Sequence, residues 1–171
     1  FNIFNIKIFL IFLIFIMNYI QSIKSQKHRI CEIFNLLNQL TDAPQLNQYQ
    51  FENIIYSLKN NHHIYLYIKD DKAVGMITIL IEQKLIHGGK CVGHIEDLVV
   101  DKKYNGQGIA KELLAYTIQI AKDNNCYKVI LDCKEELVPF YEKSGFISKG
   151  NKSLRFSLTG VRKGLSPLLY E

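Results

Sequence analysis

The sequence has no Cys-x-x-Cys pair, no internal repeat, no linker rich in proline, glycine or serine, and no block of like charge. Each absence removes a class of protein. Its four cysteines, Cys31, Cys91, Cys126 and Cys133, lack metal-site spacing and read as reduced thiols of a cytoplasmic protein, not a disulfide framework. With three prolines and no linker, 171 residues make one domain with a real core and are too few for two ordinary ones. The net charge of +5 is spread along the chain, which gives no sign of nucleic-acid binding but suits a protein handling phosphorylated small molecules. His62-His63, His87 and His94 show no strong ligand spacing, even with His94-x-Glu96 as a two-ligand pair, so no metal is expected.

One long hydrophobic run is present, FNIFNIKIFLIFLIFI at residues 1–16, without turn, cap or amphipathic pattern. It is a little short for a membrane span, and no small-residue cleavage site precedes Ser22. Three readings stay open: in-frame translation of AT-rich upstream DNA, a truncated membrane anchor, and a signal segment. The first is the expectation and makes Met17 the start, with a domain over 17–157 and a tail over 158–171.

The remaining chain alternates between periods of 2 and 3.6. Tyr19 to Lys24 predicts a short edge strand, and Arg29 to Leu40 a helix with Ile30, Ile33, Phe34, Leu37 and Leu40 inward. Gln48 to Lys59 predicts a second helix with Phe51, Ile55 and Leu58 inward. A hairpin follows, Ile64 to Ile68 and Val74 to Lys84 around Lys69-Asp70-Asp71-Lys72, and Gly88-Gly89 turns the chain into a central strand, Ile95 to Val100. Ile109, Ala110, Leu113, Leu114, Thr117, Ile118 and Ala121 recur at helical spacing. Lys128 to Cys133 reads as a buried strand, Glu135 to Ser144 as a short helix capped by Gly145, and Phe146 to Lys149 and Ser153 to Ser157 as the last extended pieces. The order β-α-α-β-β-β-α-β-α-β predicts an α/β (α+β) domain with one mixed, mostly antiparallel sheet flanked by helices.

Two features of the middle stretch carry chemistry. Glu96 and Asp97 are adjacent carboxylates in an otherwise apolar strand, costly to bury unless paired or used. In a regular strand they face opposite sides, and a β-bulge would relax that. After the strand, Gly106 and Gly108 permit positive φ just before a helix whose first N–H groups suit an anion such as a pyrophosphate. A Gly-x-Gly before a helix also serves any tight strand-to-helix turn, and the third glycine of a dinucleotide fingerprint is out of place.

Asn105-Gly106-Gln107-Gly108-Ile109-Ala110 resembles the acyl-CoA pyrophosphate loop of the GNAT N-acetyltransferases, Gln/Arg-x-x-Gly-x-Gly/Ala, with Asn105 replacing the first residue. Leu137-Val138-Pro139-Phe140-Tyr141-Glu142-Lys143-Ser144-Gly145-Phe146 is similar to that family's late aromatic helix and Gly-Phe turn. Four further segments, at 37–41, 82–87, 93–100 and 125–133, resemble the eukaryotic members that acetylate glucosamine 6-phosphate. The resemblance implies the GNAT fold, acetyl-CoA as co-substrate, glucosamine 6-phosphate as acceptor, a homodimer and a cytoplasmic setting. It implies Asp132 as the group that takes the ammonium proton or orients the amine, and Tyr141 as donor to the departing thiolate. Glu96 and Asp97 would orient the sugar and amine, while Thr41, Lys84 and Arg155 would meet the acceptor phosphate. Leu98, Val99 and Val100 would pair with the pantetheine arm, and Asn105, Gly106, Gln107, Gly108, Ile109, Ala110 and Lys111 would hold the pyrophosphate. The residues alone favour Tyr141 as a core aromatic beside Phe140. Cys133 as a covalent acyl carrier is disfavoured by the carboxylate beside it. Leu137 stands where the family usually has an asparagine that contacts CoA. Another amine as acceptor, or a silent CoA-binding module, remains the alternative.

Overall fold

The structure is a computed structural model, and residues 19–150 are described. Residues 1–16, Arg155 and the extended piece expected at 153–157 lie outside them. The chain divides into two units at Cys133–Lys134.

The first unit is built on a five-stranded sheet whose spatial order equals its chain order. Its strands are β1 (Ile20–Ser22), β2 (His62–Lys69), β3 (Lys72–Gln83), β4 (Cys91–Val100) and β5 (Cys126–Ile130). The first four are joined antiparallel and β5 runs parallel to β4, which requires the crossover helix between them. Helices α1 (Ile30–Leu40) and α2 (Gln48–Ser57) separate β1 from β2, and α3 (Ile109–Asp123) makes the crossover. Asn47 starts α2 with a full capping box, its side chain accepting from Gln50 N–H while the Gln50 side chain accepts from Asn47 N–H. Between β2 and β3, Asp70 and Asp71 both have positive φ, 48° and 57°, the two-residue turn whose twist matches a tight hairpin.

Two apolar layers sandwich the sheet. On one face Ile33, Phe34 and Leu36 of α1 and Phe51 and Ile55 of α2 pack with Leu66, Met76 and Val99. On the other, Ala121 of α3 packs with Ile79 and Ile81, and Val129 lies against them. Close approach there depends on missing side chains: a Cβ on Gly75 would lie 3.1 Å from both Ile109 and Leu113, and one on Gly93 would lie 3.4 Å from Ala121. A buried arginine fastens the first layer to the hairpin. Arg29 donates to the Asp71 carbonyl at 2.6 Å and pairs with the Asp71 carboxylate, while Glu32 accepts from Ala73 N–H at 2.6 Å. That carboxylate, hydrogen-bonded by the guanidinium, is held below the ordinary aspartate range, and Arg29 is raised by the same bond.

Several sequence expectations shift. Leu40 is 45% exposed, and Leu36 takes its inward place at 2%, because α1 turns its last residue past the sheet. The strand expected at 128–133 begins at Cys126 and stops at Ile130, and it is only half-buried, since α3 covers one side of it. The second unit has a 3-10 turn at Glu135–Leu137 and a short helix α4 (Val138–Glu142), ended by Gly145 at φ 91°. The strand expected at 146–149 does not form; those residues are irregular.

A Gly75→Val substitution adds a branched side chain where α3 already touches the sheet, and a loss of about 1–3 kcal/mol is expected. A lower urea midpoint with unchanged slope would register it; unchanged stability would show that Ile109 and Leu113 can move aside.

Candidate active site

The sheet forks at β4. Parallel pairing with β5 covers only Cys91 to His94, opposite Cys126 to Ile130, and beyond it no described strand pairs with that side of Ile95–Val100. Unpaired backbone N–H and C=O groups are strong binding elements for an extended ligand. Leu98 and Val100 are half-buried along this edge, whereas the Val99 side chain is buried among the helices, so Val99 can offer a ligand little but backbone.

On its other side β4 carries a bulge. Thr78 pairs with Glu96 and Met76 with Val99, so Asp97 and Leu98 together stand opposite the single residue Ile77. The extra residue takes up the left-handed turn of Asp97, at φ 50°. It also reverses the alternation, so Glu96 and Val99 lie on one face although they are three apart. The expected burial of the two carboxylates does not occur: both are exposed. Their repulsion is nevertheless felt. Partial desolvation, then the charge of Asp97, then that of Asp132, push the Glu96 carboxyl above its ordinary range. Asp132 lies in the loop two residues past β5 and is exposed. The fork therefore gathers three carboxylates whose mutual repulsion an amine cation would relieve.

Two residues before Glu96, His94 extends this site. Its Nε2 lies 2.8 Å from Glu82 Oε2, and Lys84 Nζ lies 2.6 Å from Glu82 Oε1. The bond from Lys84, and after it the one from His94, hold Glu82 below the ordinary glutamate range. Lys84, expected to meet a phosphate, thus already has an anionic partner. The Glu82–His94 link escaped sequence reading; its only signal was the diagonal placement that the β3–β4 register gives these two residues.

The glycine loop opens α3. Gly106 and Gly108 have φ of 79° and 83°, and the cap position Gly108 provides no side-chain acceptor. A Cβ at either glycine would meet nothing within 4 Å, so backbone handedness alone demands them. Asn105, Gln107 and Lys111 are exposed; Ala110 is half-buried and Ile109 is core, packed on Gly75. The α3 N–H groups without intrahelical partners, together with the helix dipole, fit a bound diphosphate. Thr41, the exposed C-cap of α1, donates its N–H to Leu37.

In the second unit the Tyr141 ring is half-buried and edge-on to Phe140 and Phe146, with centroids 5.0 and 5.9 Å away. The Tyr141 carbonyl accepts from Ser144 and Phe146 N–H, and this bends the chain through Gly145. Leu137 is 42% exposed. Among the described residues no three of histidine, cysteine, aspartate and glutamate converge as a metal site.

Residues 28–146 match the Acetyltransferase (GNAT) family. The chain belongs to that family. A glucosamine 6-phosphate N-acetyltransferase of Trypanosoma brucei brucei is 40% identical over 114 residues, which cover 65% of this chain and 78% of the relative. The crystal structure of a Trypanosoma brucei acetyltransferase superposes with a TM-score of 0.76 at 33% identity, covering 81% of this chain and 98% of that one. That of glucosamine-6-phosphate N-acetyltransferase from Arabidopsis thaliana superposes with a TM-score of 0.73 at 30% identity, over 82% and 96%. The GNAT fold that the resemblance implied is therefore the fold observed.

The raised Glu96 carboxyl has a definite pH signature. A carboxyl whose folded value lies above its unfolded one binds protons preferentially when folded, so stability is lost as pH rises from the ordinary glutamate range through the raised value. Glu96→Gln should therefore melt at a higher temperature than the parent at pH 7, and the gain should vanish below about pH 4. Melting curves at both pH values check it; equal gains at both would mean that charge is not the cause.

Proposed function

We propose that this chain transfers the acetyl group of acetyl-CoA to the 2-amino group of glucosamine 6-phosphate, giving N-acetylglucosamine 6-phosphate for UDP-N-acetylglucosamine synthesis. The carrying observation is the fork itself: three carboxylates, Glu96, Asp97 and Asp132, beside an unpaired strand edge and a glycine loop. Relatives named for this reaction in trypanosome, rice and yeast support the choice of acceptor.

Acetyl-CoA supplies the acyl group as a thioester. The backbone from Leu98 to Val100 pairs with its pantetheine arm, and the loop and helix start from Asn105 to Lys111 take its diphosphate. Glu96 and Asp97 draw in the ammonium form of the acceptor and orient the sugar. Asp132 accepts the proton that must leave nitrogen as the C–N bond forms, and Tyr141 donates to the sulfur as the C–S bond breaks. Thr41, Lys84 and Arg155 meet the acceptor phosphate, Lys84 exchanging its bond to Glu82 for one to phosphate. The reaction is a direct transfer, with no acyl-enzyme on Cys133.

The chain acts as a homodimer in the cytoplasm on this reading. Leu85, 99% exposed, and Ile86, 60% exposed, offer apolar surface for a partner copy, and all four cysteines are free thiols. No described helix is long and apolar enough to cross a membrane.

Thiol release from acetyl-CoA tests the assignment. Glucosamine 6-phosphate should turn over and glucosamine should be far poorer. Asp132→Asn and Tyr141→Phe should each cut kcat by about 10²–10⁴. Equal turnover of both sugars would overturn phosphate recognition, and no turnover of either would overturn the acceptor.

A further inference from the structure

The glycine loop carries one long side chain between its two left-handed residues, Gln107, and β2 reaches it from below. Lys69, the last residue of β2, donates from Nζ to Gln107 Oε1 at 2.6 Å. The same ammonium stands 5.7 Å from the centroid of the Tyr104 ring, and the Tyr104 carbonyl accepts from Gln107 N–H at 3.4 Å. Lysine, tyrosine and glutamine thus close a ring of contacts around the loop. Two residues earlier on the same strand, Tyr67 donates its hydroxyl to Glu112 Oε2 at 2.9 Å in the first turn of α3. One strand therefore tethers both the loop and the helix start.

The loop needs such a tether. Neither glycine touches anything through a side chain, and the residues from Asn105 to Gly108 are all exposed. Glycines lose the most conformational freedom when ordered, and a loop that must order around its ligand weakens binding by that amount.

We infer that Lys69 is a positioning residue for the acyl donor: through Gln107 it holds the Gly106–Gly108 backbone in the shape that presents its N–H groups to a diphosphate. The inference rests on the acetyl-CoA reading proposed above. Lys69 need not touch the donor, and neither the family resemblance nor the loop motif includes it.

The experiment measures CoA binding by calorimetry, and KM for acetyl-CoA and for S-acetylpantetheine, which lacks the diphosphate, on the full chain. The variants are Lys69→Met, which keeps the stem and removes the donor, Lys69→Arg, which keeps a donor, Gln107→Ala, and the double variant Lys69→Met with Gln107→Ala. A charge-assisted hydrogen bond of this kind predicts that Lys69→Met weakens CoA binding and raises KM for acetyl-CoA about tenfold. KM for S-acetylpantetheine should stay within about twofold, Lys69→Arg should recover most of the loss, and the double variant should be no worse than either single one. Unchanged CoA binding in Lys69→Met overturns the inference, as does an equal rise in KM for both donors, which would mark general damage to the fold. Additive losses in the double variant also overturn it, because the lysine would then act independently of the loop. A parent chain that binds no CoA would overturn the acyl-donor reading itself, and the inference with it.

Discussion

The structure depends on an unfinished hydrogen-bond ladder. β5 pairs with β4 for the first few residues and then leaves it, so among the described residues a central strand of the sheet retains a free edge over half its length. A free edge inside a domain is unfavourable unless something fills it, because buried peptide groups need partners. Past the end of β5, Asp132 lies near enough to Glu96 for their charges to interact. Binding edge and acidic site are therefore one geometric event.

The other elements hold that fork open. Gly75 and Gly93 let α3 lie close against the sheet, which fixes the helix start and the loop before it. Arg29, itself buried, ties α1 to the hairpin turn on the opposite face. The bulge in β4 does more local work, since it sets Glu96 on the same face as the buried Val99 three residues later, where a regular strand would put the two on opposite faces.

Much of this was legible beforehand, and the exceptions have physical reasons. Apolar periodicity located α1, α2 and α3 within a few residues, because each helix buries one face, while the hairpin was legible from turn residues between two apolar runs, β3 itself being buried on both faces. The glycine loop was legible because positive φ restricts the residue type. The bulge was only a conditional expectation, since nothing in the run from Ile95 to Val100 marks where an extra residue will be accommodated. Continuous apolar character made 128–133 look like an interior strand, yet β5 is short and half-covered; its apolar residues meet α3 on one side only. Long-range side-chain links such as Glu82–His94 and Lys69–Gln107 depend on register and on chain reversal, which composition does not encode.

Because sheet order equals chain order, each strand lies beside the one made just before it. On a ribosome, β4 can therefore add to β3 as soon as it emerges, bringing Glu96 and Asp97 into place while Asp132 is still unmade. Two pairings are non-local, β1 with β2 across α1 and α2 and β4 with β5 across α3, and such contacts are slow to close. Synthesis thus leaves the acidic site incomplete until β5 docks, and the step that finishes the sheet is also the step that brings the three carboxylates together.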